Sequence, residues 1–188
     1  MSPISLDEQR RAFTSRRFLA MPLAGATAWL VVAAAGLLLP PRPAVWVLYG
    51  ATGSIVYLGM LFSRITGEDF FRRGQPKNSF DTLFFYTVAM SLLVYAVAIP
   101  FFLADYTSLP LTVGILTGLM WLPLSWIIQH WVGVFHAVGR TGLLLAAWYL
   151  LPTQRFVVLP LLIVLLYGIT IVVLERRWHG LPKAASPK

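Results

Sequence analysis

Six long apolar runs, separated by short polar or proline-bearing stretches, decide what this chain can fold into. They extend from about Phe18 to Leu39, Ala44 to Phe62, Phe80 to Leu103, Leu109 to Val132, Val134 to Leu151 and Phe156 to Leu174. Each approaches the roughly 20 residues with which a helix rising about 1.5 Å per residue crosses about 30 Å of hydrocarbon. Composition rules out a water-soluble alternative. Charged residues make up 12% of the chain, against about 25% in a typical soluble domain. Hydrophobic residues make up 58%, and the mean hydropathy is +0.74. The expected fold is therefore all-α: a polytopic membrane bundle of six transmembrane helices in one domain.

Orientation follows from Lys and Arg, which accumulate on the cytoplasmic side of membrane proteins. If the first run starts inside, all of the 15 Lys and Arg except Arg42 and Arg155 fall on the inner side. Removing one span would destroy that alternation, so the charge pattern supports six spans with both termini cytoplasmic. Pro40, Pro41 and Pro43 mark a tight turn after the first run, and Pro152 marks one after the fifth. The fifth run is the shortest and carries Arg140. Trp46, Tyr106, Trp131 and Trp178 fall near span ends, where aromatic belts lie.

Residues 1–17 read as a cytoplasmic amphipathic segment. Ser5 and Glu8 have the spacing of a capping box, in which each side chain satisfies an amide of the first turn. Leu6 and Phe13, with Arg10, Arg11, Arg16 and Arg17, suit a short helix at the membrane surface. Residues 18–179 form the membrane domain, and 180–188 read as a disordered cytoplasmic tail. The net charge of +8 would suggest nucleic acid in a soluble protein. At the ends of apolar runs it points instead to anionic lipid headgroups, and no nucleic-acid partner is expected. Self-association into a homo-oligomer is left open.

The chain lacks Cys, so thiolate chemistry is excluded. None of the seven acids falls at the middle of a run, which argues against the carboxylate relays of proton and sodium pumps. Polar character concentrates between Trp121 and Arg140. Gly114, Gly118, Trp121, Ser125 and Gln129 recur at helical spacing on one face of the fourth run. Gly114 and Gly118 form a GxxxG pair suited to close helix packing. His136 and Arg140, four apart, share a face of the fifth run. An Arg at that depth must snorkel, find a partner or meet water. Its planar fork suits a carboxylate or phosphate. Ser125, Gln129, His136 and Arg140 are therefore the candidate substrate-binding residues, lining a polar cavity open to the cytoplasm. Glu68 and Asp69, in the long loop from Thr66 to Asp81, are candidates for a gate or lid over it. His130 and His136 match no zinc spacing, Ser125 and His130 lie on different helix faces, and no metal site or catalytic set is assigned. No cofactor is read from the sequence.

The segments LDEQRRAF, SRRFLAMPLAG and LERRW resemble a family of short bacterial multi-spanning membrane proteins to which no activity is assigned. The resemblance covers nearly the whole chain and implies a bacterial inner membrane, but it transfers no function to any residue. The leading expectation is a small-solute or ion transporter or channel-like protein. Alternatives are an accessory protein binding partner helices or lipid, and a membrane-embedded enzyme acting on a lipid or quinone through His130 or His136.

Overall fold

The computed structural model describes residues 4–68 and 78–181, which form only helices, turns and short connections. A short helix α1 (Leu6–Thr14) leads into α2 (Ala20–Leu38). Next come α3 (Pro41–Gly53) and α4 (Ile55–Thr66), then α5 (Ser79–Leu93) and α6 (Tyr95–Ala104). After a 3-10 turn (Tyr106–Ser108) follow α7 (Leu109–Gly118), α8 (Trp121–Ile128), α9 (Val132–Leu150) and α10 (Arg155–His179).

Four stretches are long and apolar enough to cross a membrane: Ala20–Leu38, Ser79–Ala104, Tyr106–Ile128 and Arg155–His179. A fifth is a pair, α3 and α4, bent by 47° at their junction. Helix α9 is as long as α2, at 19 residues, but it is not among these candidates. Its polar residues, His136 and Arg140 foremost, dilute an otherwise apolar helix.

The surface has the inverse of a soluble protein's polarity. Large apolar side chains such as Leu38, Leu103, Tyr149 and Leu150 stand largely exposed, while His136, Arg140 and Thr170 are fully buried. A contiguous apolar exterior of this kind requires a partner surface, and helices that satisfy their own backbone groups can present it to lipid. The fold is that of a multi-pass membrane protein.

Glycines set the helix registers. A Cβ at Gly25 would lie 2.3 Å from Tyr167 Cζ, and one at Gly36 would lie 2.2 Å from the Phe156 carbonyl oxygen. Positions 25 and 36 thus face 167 and 156, so α2 and α10 run antiparallel in close contact, the backbones drawn together where side chains are absent. The same logic joins α7 to α9. A Cβ at Gly114 would meet Leu144 Cδ1 at 2.8 Å, and one at Gly118 would meet Arg140 Cδ at 2.9 Å. The GxxxG face is consumed inside the chain, against α9 and α10.

Helix α1 is fastened to one end of the bundle. The Ser5–Glu8 capping box is formed, the Glu8 amide donating to Ser5 Oγ at 3.3 Å and the Ser5 amide to Glu8 Oε2 at 3.0 Å. Phe13 is 1% exposed, packed between Phe18, Phe80 and Phe84. The helix therefore docks on protein through Phe13. Arg16 pairs with Asp81. Arg17 forks onto Glu175, with Nε donating to Oε2 at 2.9 Å and the terminal nitrogen to Oε1 at 2.5 Å. Arginines expected to mark the cytoplasmic side and a surface helix are the clasps that tie the N-terminal segment to α5 and α10. At the same end Glu68 Oε1 accepts from the amides of Leu19 and Ala20, each at 2.8 Å, and from Thr66 Oγ1 at 2.9 Å. The two amides are orphan donors at the start of α2, which Phe18 precedes with φ of 58°. The tail beyond Leu181 lies outside the described residues.

Candidate functional site

The most polar place in the interior lies about 12 Å along α9 from Val132, at 1.5 Å per residue. Arg140 is 0% exposed. Its guanidinium donates to the Tyr167 hydroxyl at 3.4 Å, to Thr117 Oγ1 at 3.2 Å and to His136 Nε2 at 3.4 Å. Its Cζ stands 5.4 Å from the Trp29 ring centroid and 5.6 Å from that of Tyr167. These contacts come from α2, α7, α9 and α10, so four helices meet at one side chain.

The local sequence makes that meeting feasible. His136 and Arg140 are one turn apart on α9, and Tyr167 and Thr170 share a face of α10. Gly118 leaves room for the Arg140 methylenes. A guanidinium can only donate, so His136 Nε2 accepts, which places the ring proton on Nδ1. Nδ1 lies 2.8 Å from Thr170 Oγ1, and that hydroxyl donates to the Leu166 carbonyl at 2.8 Å. The chain Arg140 to His136 to Thr170 to Leu166 fixes both the tautomer and the ring orientation. Trp121 stacks on His136, with centroids 4.5 Å apart and planes at 29°.

The charge at the centre is unbalanced. Among the described residues no carboxylate lies within ion-pair distance of Arg140. Its Nε has no hydrogen-bond partner, and the indole N–H groups of Trp29 and Trp121 are likewise buried without one.

The four expected binding residues divide. His136 and Arg140 meet in this layer. Ser125 is buried but engaged elsewhere, its hydroxyl donating to the His130 carbonyl and closing the α8–α9 turn. Gln129 is exposed. It caps α8 with φ of 50°, so the helical spacing that aligned it with Ser125 ends one residue before it. The cavity expected to open to the cytoplasm is closed around His136 and Arg140, both fully buried. Glu68, expected as a gate, caps α2, and Asp69 lies outside the described residues. Thr117, Tyr167, Thr170 and Trp29 join the site without having been singled out from the sequence. Tyr167 and Thr170, a polar pair at helical spacing in an apolar run, carried a readable signal; Thr117 was obscured by the glycine beside it.

A cavity of about 40 Å³ lies toward the clasped end, bounded by Phe13, Phe18, Phe84, Arg16, Asp81 and Trp121 among others. On a measure by which one water takes about 10–15 Å³, it holds a few water molecules. Trp121 both lines this cavity and stacks on His136, so its indole is shared by the cavity wall and the Arg140 layer. No group of three or more His, Asp or Glu suited to a metal ion occurs among the described residues.

No curated protein and no solved structure matches the chain. A family model does, across residues 7–177, a stretch that runs from α1 through nearly all of α10 and includes every residue of the buried layer. The chain belongs to the family of unknown function DUF7010.

Proposed function

We propose that this protein is a six-span transporter of a small solute in a bacterial inner membrane, with both termini cytoplasmic and the Arg140 layer as its binding centre. One observation carries the reading: a guanidinium buried to 0% exposure, midway along a membrane bundle and facing only neutral partners. An ionisable residue at that depth costs several kcal/mol and marks a substrate pathway or relay by default. The enclosed layer then corresponds to an occluded state, with Trp121 between it and the cavity at the clasped end. On this reading the six apolar segments cross the bilayer in turn, and the basic clasped end is taken as cytoplasmic.

The accessory reading has less to stand on. The GxxxG face that would receive a partner helix is already filled by Leu144 and Arg140. The enzyme reading relied on His130 or His136. The second of these is held by Arg140 and Thr170 within the packed layer.

The test is flux in proteoliposomes reconstituted with purified protein, using a panel of anionic, cationic and neutral tracers. Flux of at least one tracer that disappears in Arg140→Gln supports the reading. Vesicles as tight as protein-free controls to the whole panel refute it. Topology is checked separately in this cysteine-free chain: single cysteines at Ser5 and Leu181 should label only from the cytoplasmic side, and one at Thr153 only from outside.

A further inference from the structure

The ligand class of this centre is legible in its hydrogen-bond inventory. We infer that the Arg140 layer binds a small monovalent anion such as a halide, nitrate or short carboxylate; this rests on the reading of the layer as a binding centre.

Arg140 brings five N–H donors and no acceptor. Three of its donor contacts run at 3.2–3.4 Å to neutral groups, well beyond the roughly 2.7–2.9 Å of a guanidinium on an anionic oxygen. Nε has no partner at all. Thr117 Oγ1, which accepts from Arg140, gives its own proton to the Val113 carbonyl at 2.6 Å, so it meets the guanidinium as a neutral acceptor and adds no negative charge. Trp29 and Trp121 add two further buried N–H groups lacking acceptors. A site with a surplus of donors, one fixed positive charge and no carboxylate lacks one thing, an acceptor carrying a single negative charge. A cation would meet Arg140 repulsion, and a neutral solute would leave the charge unbalanced.

Size follows from packing. The guanidinium is enclosed by the Trp29 and Tyr167 rings, and Gly118 sits against its stem. The neighbouring free space, beyond Trp121, is about 40 Å³. A space that holds a few water molecules suits the passage of an ion of a few atoms. Access from the clasped end requires the Trp121 ring to leave its stack on His136. The cavity wall carries the paired Arg16 and Asp81 and the Glu68 carboxylate, whose Oε1 is held by the Leu19 and Ala20 amides; the positive charge without a carboxylate partner lies past Trp121, at Arg140.

The experiment measures binding directly, so that it stands apart from transport. The unfolding midpoint of the detergent-purified protein is followed while chloride, nitrate or acetate replaces gluconate at constant ionic strength. The expected result is a saturable rise for at least one of the three. Half-saturation should weaken about tenfold or more in Arg140→Gln, as loss of a charge-assisted bond implies. It should be unchanged in Arg155→Gln, which removes a guanidinium at the opposite end of the bundle. Thr117→Val keeps the charge but removes a neutral partner, so its half-saturation should be tighter than wild type; this variant decides the matter if Arg140→Gln does not fold. A wild-type midpoint that does not respond saturably to any of the three anions overturns the inference. So does an equal response in Arg140→Gln. Saturable stabilisation without flux would retire transport and keep the anion site. Flux of a cation or neutral solute without anion stabilisation would retire the anion and keep transport.

Discussion

Gly118 and Arg140 fit as recess and peg: a Cβ at position 118 would stand 2.9 Å from Arg140 Cδ and 3.3 Å from its Nε. The last residue of α7 is thus the reason a guanidinium stem can pass between α7 and α9 at all. Gly118→Val should therefore force Arg140 from its place among Tyr167, Thr117 and His136. Overpacking of this kind costs about 1–3 kcal/mol. Thermal unfolding in detergent should show a clear loss of stability, and Gly139→Ala on α9, whose Cβ would meet only ordinary contacts at 3.8 Å or more, should show little. Equal behaviour of the two variants would exclude the recess.

Most of the helices were legible because membrane helices are written in uninterrupted apolar runs. The centre was legible only in part. Helical spacing links residues within one segment, so it pairs His136 with Arg140. It cannot say which segments meet, so it gives no sign that Trp29 on α2 and Tyr167 on α10 both stand beside Arg140. Gln129 was misplaced because periodicity carries no signal for a left-handed residue ending α8. In the sequence Arg16 and Arg17 read as topological markers and as part of a surface helix, since their partners Asp81 and Glu175 lie far away along the chain.

Glu68, expected as a gate, has the contacts of a cap. Its Oε1 holds the Leu19 and Ala20 amides at the start of α2. Removing such a cap costs roughly 0.5–2 kcal/mol. Glu68→Ala should lower stability by about that much, and Glu68→Gln, which keeps an acceptor oxygen, should lose less. A gate would behave otherwise: Glu68→Ala would leave stability intact and accelerate flux.

The Arg17–Glu175 fork should hold α1 against the bundle. Both side chains are about three-quarters shielded, at 28% and 25% exposure. Hydrogen bonding by Glu175 also raises the Arg17 pKa above its ordinary value. A double-mutant cycle with Arg17→Gln and Glu175→Gln should give a coupling of about 0.5–1 kcal/mol, the upper range for partly exposed pairs. Limited trypsin cleavage at Arg10 and Arg11 should quicken in either single variant. Cleavage as slow as in wild type would mean that Phe13 and the Arg16–Asp81 pair secure the helix without the fork.

The pH response of α1 can be given a sign. Hydrogen bonds from the Ser5 backbone and side chain hold the Glu8 carboxyl below its ordinary value of 4.5. A carboxyl depressed in the folded state stabilises that state fully above its unfolded pKa, and the contribution disappears as pH falls through the folded value. Amide protection in residues 6–14 should therefore be constant from neutrality down to about pH 5 and decline in more acidic solution, beginning near the unfolded carboxyl pKa. Glu8→Gln keeps an acceptor for the Ser5 amide but has no proton to gain, so its α1 protection should start lower at neutral pH and change less on acidification. The other carboxylates at the clasped end are the same in both proteins, and the difference between the two profiles isolates Glu8. Parallel profiles would assign acid loosening of α1 to the arginine clasps instead of the capping box.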